Sequence, residues 1–397
     1  MEDYTYAFPI WVEFGSGSSG EVGRIAGAKG WDTALIVTDP GIVAAGLLDG
    51  ITDSLEAAGI EYVLFDEVEP NPTVAMVEAA TAAIDREGAD VVVAVGGGSS
   101  MDVGKTASML ATNPGSVADY EVTTTEEVMA GPVENQTLPL VTVPTTAGTG
   151  SEVDYWSVIT DEEREFKMAL GQPPLTPGGP YLGASVSLVD PALTESLPPR
   201  QTAATGFDAL SHALENYVSA VSPPLVEPLA LHVMALVAEH LPTAYHEGTT
   251  ESREHMMFAA HLAGMGENLA GFGAIHSLAE VTGGMYPEIP HGEAIAIYTP
   301  AVMEYNREVV PGKFAAVAEA LGRDVEGRSE EAAAKEAVRA VEELMDELDL
   351  PTSLEAVGVA ESDLPEIAEK SMETSEIGDN PREATAEDLL EIARASY

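Results

Sequence analysis

The chain has 397 residues and no cysteine, which excludes disulfides and thiolate ligands and leaves imidazole and carboxylate as the donors for any metal. Lysine and arginine total 17 against 67 for aspartate and glutamate, a formal net charge of −50. A field of that sign repels nucleic acid and anionic membrane alike, and no run approaches the roughly 18 uninterrupted apolar residues of a membrane span.

The acids are spread along the chain rather than gathered into a tail. The expectation is a folded protein of a high-salt cytoplasm, where dissolved ions shorten the reach of its self-repulsion. The opening Met1-Glu2-Asp3-Tyr4-Thr5-Tyr6 is acidic and aromatic and carries no basic or apolar region of a secretory signal.

In chain order, residues 1–190 alternate short apolar runs with helical stretches. The strand candidates are Thr33–Thr38, Glu61–Phe65, Val91–Val95 and Leu138–Val143, with amphipathic segments at 42–59 and 73–87 between them. That alternation predicts a parallel sheet covered on both faces. The Pro/Gly-rich run 171–183 is expected to be a loop. From about 191 strand signals stop, and helical periodicity occupies 201–220, 224–241, 251–283, 292–308, 311–321, 329–348 and 384–395. The division falls near Val189-Asp190-Pro191: an α/β domain over 1–190 and an all-α domain over 191–397.

Two glycine clusters in the first part compete as a phosphate cradle. Gly15-Ser16-Gly17-Ser18-Ser19-Gly20 satisfies the dinucleotide fingerprint spacing, with Asp39 nineteen residues later, but reads equally as a tight turn into a helix. Gly96-Gly97-Gly98-Ser99 comes directly off an apolar strand and opens a helix, whose free amides and positive dipole suit a pyrophosphate. The second is favoured. It also approaches a P-loop ending in Gly104-Lys105-Thr106, but the leading glycine stands one residue too early, which leaves a nucleotide hydrolase as a minor alternative. A third loop, Pro144–Glu152, offers hydroxyls and amides to a ribose or diphosphate.

All eight histidines lie between His212 and His291. Asp208 and His212 sit four residues apart in a helical pattern, so a carboxylate and an imidazole share one face and make half of a metal site. His276 follows Gly271-Phe272-Gly273, and His291 stands on a Pro-His-Gly turn. The four residues Asp208, His212, His276 and His291 are the candidate ligands. Glu280 repeats the four-residue spacing after His276, which makes it either a ligand or an ionisable group one turn from the metal. His232, His240, His246, His255 and His261 lack such contexts.

These segments, together with Asp190-Pro191 and Asn380-Pro381-Arg382, resemble the iron-dependent (group III) alcohol dehydrogenase family over nearly the whole length. The resemblance implies an N-terminal α/β dinucleotide-binding domain over 1–190, a helical C-terminal metal and substrate domain over 191–397 of the dehydroquinate synthase-like type, and an active site in the cleft between them. It implies one divalent ion, Fe2+ or alternatively Zn2+, on Asp208, His212, His276 and His291. The pyrophosphate loop falls on Gly97, Gly98 and Ser99, alongside Asp102. Further cofactor contacts map to Asp39, Thr145, Thr146, Thr149, Lys167 and Leu193. Asp39 at a ribose-contacting position predicts NAD over NADP.

The reaction implied is hydride transfer between a nicotinamide dinucleotide and a primary alcohol, aldehyde or small diol by a cytoplasmic homodimer. A zinc-dependent polyol dehydrogenase of the glycerol type is the alternative. Two departures bear on it: relatives often carry histidine at Glu280 and an aromatic residue at Glu267. We expect Glu280 to lie outside the metal shell and, beside His276, to serve proton relay, and Glu267 to make the substrate pocket more polar or to face solvent.

Overall fold

The computed structural model describes residues 5–397, so the reading of Met1–Tyr4 lies outside the described residues. The chain divides into an α/β unit, Thr5–Thr146 with Ser151–Ser196, and a helical unit built from Leu197–Tyr397 and Ala147–Gly150.

The α/β unit runs β1 (Trp11–Phe14), α1 (Val22–Lys29), β2 (Thr33–Val37), α2 (Pro40–Ala44), α3 (Asp49–Ala58), β3 (Glu61–Phe65), α4 (Val74–Glu87), β4 (Val91–Gly96) and α5 (Gly98–Leu110). It continues with α6 (Thr125–Ala130), β5 (Leu140–Pro144), β6 (Trp156–Asp161), β7 (Phe166–Gly171) and β8 (Val186–Val189). Six strands form one sheet in the order β1-β8-β5-β4-β2-β3. Every pairing in it is parallel.

The strands read as apolar runs because both faces are covered. Ala34, Ile36, Val91, Val93 and Val95 share a core with Val22 and Ile25 of α1 and Ile51 and Leu55 of α3. The alternating residues Leu35, Val92 and Ala94 point to the opposite face, where α4 and α5 lie. The order places β2 and β4 side by side although β3 intervenes in sequence, so the sheet reverses its winding direction there. Ligands of doubly wound sheets bind at the carboxyl ends of strands at such a switch point. β6 and β7 form a separate antiparallel hairpin.

The helical unit contains α7 (Pro199–Val218), α8 (Val226–His246), α9 (Thr250–Ala270), α10 (Ala274–Met285), α11 (His291–Asn306), α12 (Pro311–Ala320), α13 (Glu330–Glu347), α14 (Leu364–Lys370) and α15 (Ala386–Ala395). From Thr202 to Val218 every residue of α7 except Thr205 is buried, so this helix is the axis on which α8, α9 and α11 pack. Among the described residues no helix is long and apolar enough to cross a membrane.

The structure departs from the sequence expectations in four places. The helical stretch 42–59 is two helices, parted at Gly46 with φ +70°. The stretch 251–283 is likewise two, parted at Gly271 with φ +62°. β6, β7, β8, α6 and α14 were not foreseen, being short or carrying polar residues on one face. Finally, the turn Pro191–Thr194 stays with the α/β unit and 147–150 joins the helical one. The first follows because Leu193 packs on the α/β core and Asp190 accepts from the Gly17 and Ser19 amides at 3.0 and 3.3 Å. The second follows because Gly150 lies so close to Gly264 of α9 that a Cβ on it would sit 2.6 Å from that backbone.

Candidate metal centre and dinucleotide cradle

One face of α7 carries Asp208, His212 and Glu215, at successive spacings of four and three residues, and all three are buried. His212 Nε2 lies 3.6 Å from Asp208 Oδ1. His276 enters from the first turn of α10. One donor atom each from Asp208, His212 and His276 fall within 4.8 Å of one another, the spread of a set able to share an ion. His291, the first residue of α11, lies outside that trio, yet its Nε2 is 3.7 Å from the same Asp208 oxygen. Its side chain is 27% exposed, so it is the open side of the cluster.

Glu215 explains the orientation of His276. Its carboxylate accepts from the Ile275 amide at 2.8 Å and the His276 amide at 3.3 Å, at the amino end of α10. The other contact runs from its Oε2 to His276 Nδ1, at 2.6 Å. Burial pushes this carboxyl up to about 7, against the pull of the backbone amides. Burial, and then the neighbouring His212, hold the His276 imidazole well below its ordinary range. A neutral ring that donates from Nδ1 presents the lone pair of Nε2. That Nε2 is buried and has no hydrogen-bond partner, as a ligand atom waiting on a cation would be. Phe272 stacks on the same ring at 3.8 Å and 9°, and meets the His212 ring edge-on at 4.5 Å.

Glu280 is buried one turn beyond His276 and takes no part in the donor trio. Glu267 does not face solvent: its side chain is 10% exposed and its Oε2 lies 3.4 Å from His212 Nδ1. Of the remaining histidines, His240 and His255 stack on each other at 3.9 Å, and His232 and His246 lie against Phe258 and Tyr245. His261 is a buried residue of α9.

In the α/β unit, Gly96, Gly97 and Gly98 join β4 to α5 at the switch point. Gly96 adopts φ +151°, which L side chains rarely reach, and a Cβ there would strike Ser100. The Gly96 carbonyl accepts from the Thr145 amide at 2.9 Å, and Thr146 lies beside Gly97, so the turns after β4 and β5 converge. An added Cβ on Gly97 would meet nothing nearer than Thr146 at 3.5 Å, and no side chain caps the amino end of α5. Asp39 caps α2 through Oδ1, accepting from Gly41 at 2.8 Å and Ile42 at 3.1 Å, while its Oδ2 stands near Gly96.

Asp102 is committed within the protein: its oxygens accept from Ser151 and Val158, at 2.8 and 3.0 Å. Lys167 is buried on β7, and Thr149 belongs to the segment packed in the helical unit. The turn at 15–20 gives the Gly17 and Ser19 amides to Asp190, which withdraws them from any phosphate. The sequence reading missed Glu215, Phe272 and the scaffold role of Asn380, whose amide pairs reciprocally with Asn306 at 2.9 Å. The signal for Glu215 was present: it continues the Asp208/His212 face by one more turn.

Comparison with known proteins gives two adjacent family matches. Residues 9–191 match iron-containing alcohol dehydrogenase, and residues 202–397 match the C-terminal model of the Fe-containing alcohol dehydrogenase family. The chain is 41% identical over 381 residues to a choline dehydrogenase of Bacillus subtilis, covering 96% of this chain and 92% of that protein. It is 35% identical to a lactaldehyde reductase of Escherichia coli, covering 97% of each. Among solved structures, an archaeal halo-thermophilic alcohol dehydrogenase from a Red Sea brine pool aligns over 100% of both chains with a TM-score of 0.93 and 33% identity.

Proposed function

The chain belongs to the iron-containing alcohol dehydrogenase family and is a metal- and nicotinamide-dependent oxidoreductase of alcohols and small diols; on that premise we propose the residues, cofactor and substrate preference of this member. The observation that carries the proposal is the buried, unpartnered Nε2 of His276 in one donor set with Asp208 and His212.

Asp208, His212, His276 and His291 hold one divalent ion, Fe2+ in preference to Zn2+. Such an ion supplies Lewis acidity to an alcohol or carbonyl oxygen. Asp208 brings the negative charge of the set, and Glu215 keeps His276 in the tautomer whose Nε2 faces inward. Phe272 shields that ring from water. Glu280, buried outside the donor trio, moves the hydroxyl proton. In the α/β unit, the α5 amino end behind Gly97, Gly98 and Ser99 holds the pyrophosphate of NAD, with Thr145 and Thr146 beside it. Thr149, Lys167 and Leu193 are carried forward as further cofactor contacts. Asp39 accepts from the ribose hydroxyls and repels a 2′-phosphate, which sets NAD above NADP. Asp102 supports the cradle from behind through Ser151 and Val158.

The substrate is an alcohol with a second polar or cationic group. Glu267, beside His212, and Glu280, one helical turn beyond His276, add negative charge around the donor set, which favours a polar or cationic group over a plain alkyl chain. The relative at 41% identity is named for choline, a cationic alcohol. The charge of −50 supports a high-salt setting, and the working form is a homodimer, as the resemblance implies. The test is metal analysis of the purified protein, together with NADH formation from choline, propane-1,2-diol, propane-1,3-diol and ethanol at low and molar KCl. We expect one divalent ion per chain, higher kcat/KM for choline or the diols than for ethanol, and more activity in molar salt. A protein free of divalent metal yet fully active would overturn the metal assignment. Preference for ethanol would overturn the substrate reading.

A further inference from the structure

We infer that Glu267 is the positioning residue for His212: it fixes the ring so that Nε2, and not Nδ1, is the atom offered to the ion. The inference rests on the metal reading above.

His212 Nδ1 is buried and makes no hydrogen bond, and the Glu267 carboxylate lies 3.4 Å from it. Across the same ring, Nε2 lies 3.6 Å from Asp208 Oδ1. The imidazole is thus flanked by a carboxylate on each nitrogen, one on the side of the donor set and one behind. His276 has the same construction, with Glu215 behind Nδ1 at 2.6 Å. An imidazole that donates Nδ1–H to a carboxylate has a fixed tautomer, a fixed ring plane and a more basic Nε2. Closing the Glu267 contact to an ordinary hydrogen bond takes a movement of about half an ångström.

The backbone keeps Glu267 in register with His212. Glu267 lies in the last turn of α9, which is pressed onto α7 at Asn216, one turn after His212. The Asn216 amide donates to the Ala263 carbonyl at 3.2 Å. A Cβ at Gly266 would come within 2.9 Å of Asn216 Nδ2, so a side chain there would force the helices apart. Beyond α7, the Ser219 hydroxyl donates to the Ala270 carbonyl. Contacts on both sides of Glu267 therefore hold its carboxylate at the back of the ring.

The test measures the ion and not turnover. Apo protein, Glu267→Gln and Glu267→Leu are titrated with Co2+ against a chromophoric chelator, and the visible Co2+ spectrum of each is recorded; circular dichroism checks the fold. We expect Glu267→Leu to bind Co2+ at least tenfold more weakly with an altered spectrum, and Glu267→Gln, which keeps an acceptor oxygen, to lose less. If Glu267→Leu does not fold, the Glu267→Gln affinity and spectrum decide. Affinities within twofold of the parent, with unchanged spectra, would overturn the inference while leaving the metal reading standing. A parent protein that takes up no Co2+, Fe2+ or Zn2+ would overturn both.

Discussion

Replacing Glu215 by glutamine tests how the protein aims His276. The carboxylate accepts three N–H groups: Ile275 N at 2.8 Å, His276 N at 3.3 Å and His276 Nδ1 at 2.6 Å. A glutamine oxygen can retain one or two of these, but its NH2 must then face a remaining donor. The strain is relieved if His276 moves its proton to Nε2 and accepts at Nδ1, which blocks the atom meant for the ion. Losing such a partner costs about 10–100-fold in metal affinity, or about 1.4–2.7 kcal/mol.

Stability without metal should move the other way. The folded pKa of Glu215 is raised to about 7, so its contribution is intact below the ordinary carboxylate range and is lost as pH climbs through 7. Glutamine has no proton to lose. Between pH 5 and 9 the apo variant should gain about 2 kcal/mol relative to the parent, allowing for weaker bonds to the amides. Chelator competition with Zn2+ or Co2+ and urea unfolding of the apo proteins across that range measure the two effects. Unchanged metal affinity, or an apo variant weakened equally at every pH, would refute the reasoning.

Three further outcomes are expected. Lys105 is fully buried and donates to Ser151, to Asp154 and to the Trp156 carbonyl, so Lys105→Met should destabilise the protein by about 3–5 kcal/mol in urea, because the buried Asp154 carboxylate loses its cation. Asp39→Gly should narrow the ratio of kcat/KM for NAD over NADP by roughly tenfold; a ratio that does not change would show that Asp39 acts only as a helix cap. Asp379 is raised to about 6 by burial and then by Glu376, so its ionisation weakens the fold as pH rises through that value. Asp379→Asn should therefore raise the thermal midpoint at pH 8 relative to pH 4, by the equivalent of about 1 kcal/mol once solvent screening is allowed for; a shift independent of pH would contradict this.

Much of this architecture is legible in the residues. The parallel sheet showed in the apolar runs because strands covered on both faces have no polar side to alternate with. β6 and β7 escaped notice because Thr160 and Lys167 interrupt their apolar runs. The break between α9 and α10 was invisible to periodicity, since the pattern resumes after Gly271-Phe272-Gly273 without an obvious cap. Asp208, His212 and His276 come together as their spacing and context suggested, whereas His291 lies outside that trio, with its Nε2 3.7 Å from Asp208 and its ring 5.8 Å from that of His276. Glu267 could not be placed from sequence: whether a carboxylate at the end of α9 faces solvent or His212 depends on Gly266 and Asn216, residues with no visible link until the helices meet. Asp190 is the converse case. Its capture of Gly17 and Ser19 is what separates a turn from a phosphate loop of identical spacing.

The helical unit is not continuous in sequence, because Ala147–Gly150 belongs to it. Gly148 lies against Thr205 of α7, and Gly150 against Gly264 of α9, each too close for a side chain. During synthesis those four residues leave the ribosome well before the helices that receive them. The α/β unit must therefore carry an unsatisfied segment until α9 is made, and the helical unit cannot finish packing around α9 without chain from far upstream. Such a long-range closure is slow to form. It predicts that the helical unit completes its packing only with this upstream segment in place, and that a fragment beginning at Leu197 would lack part of its own core.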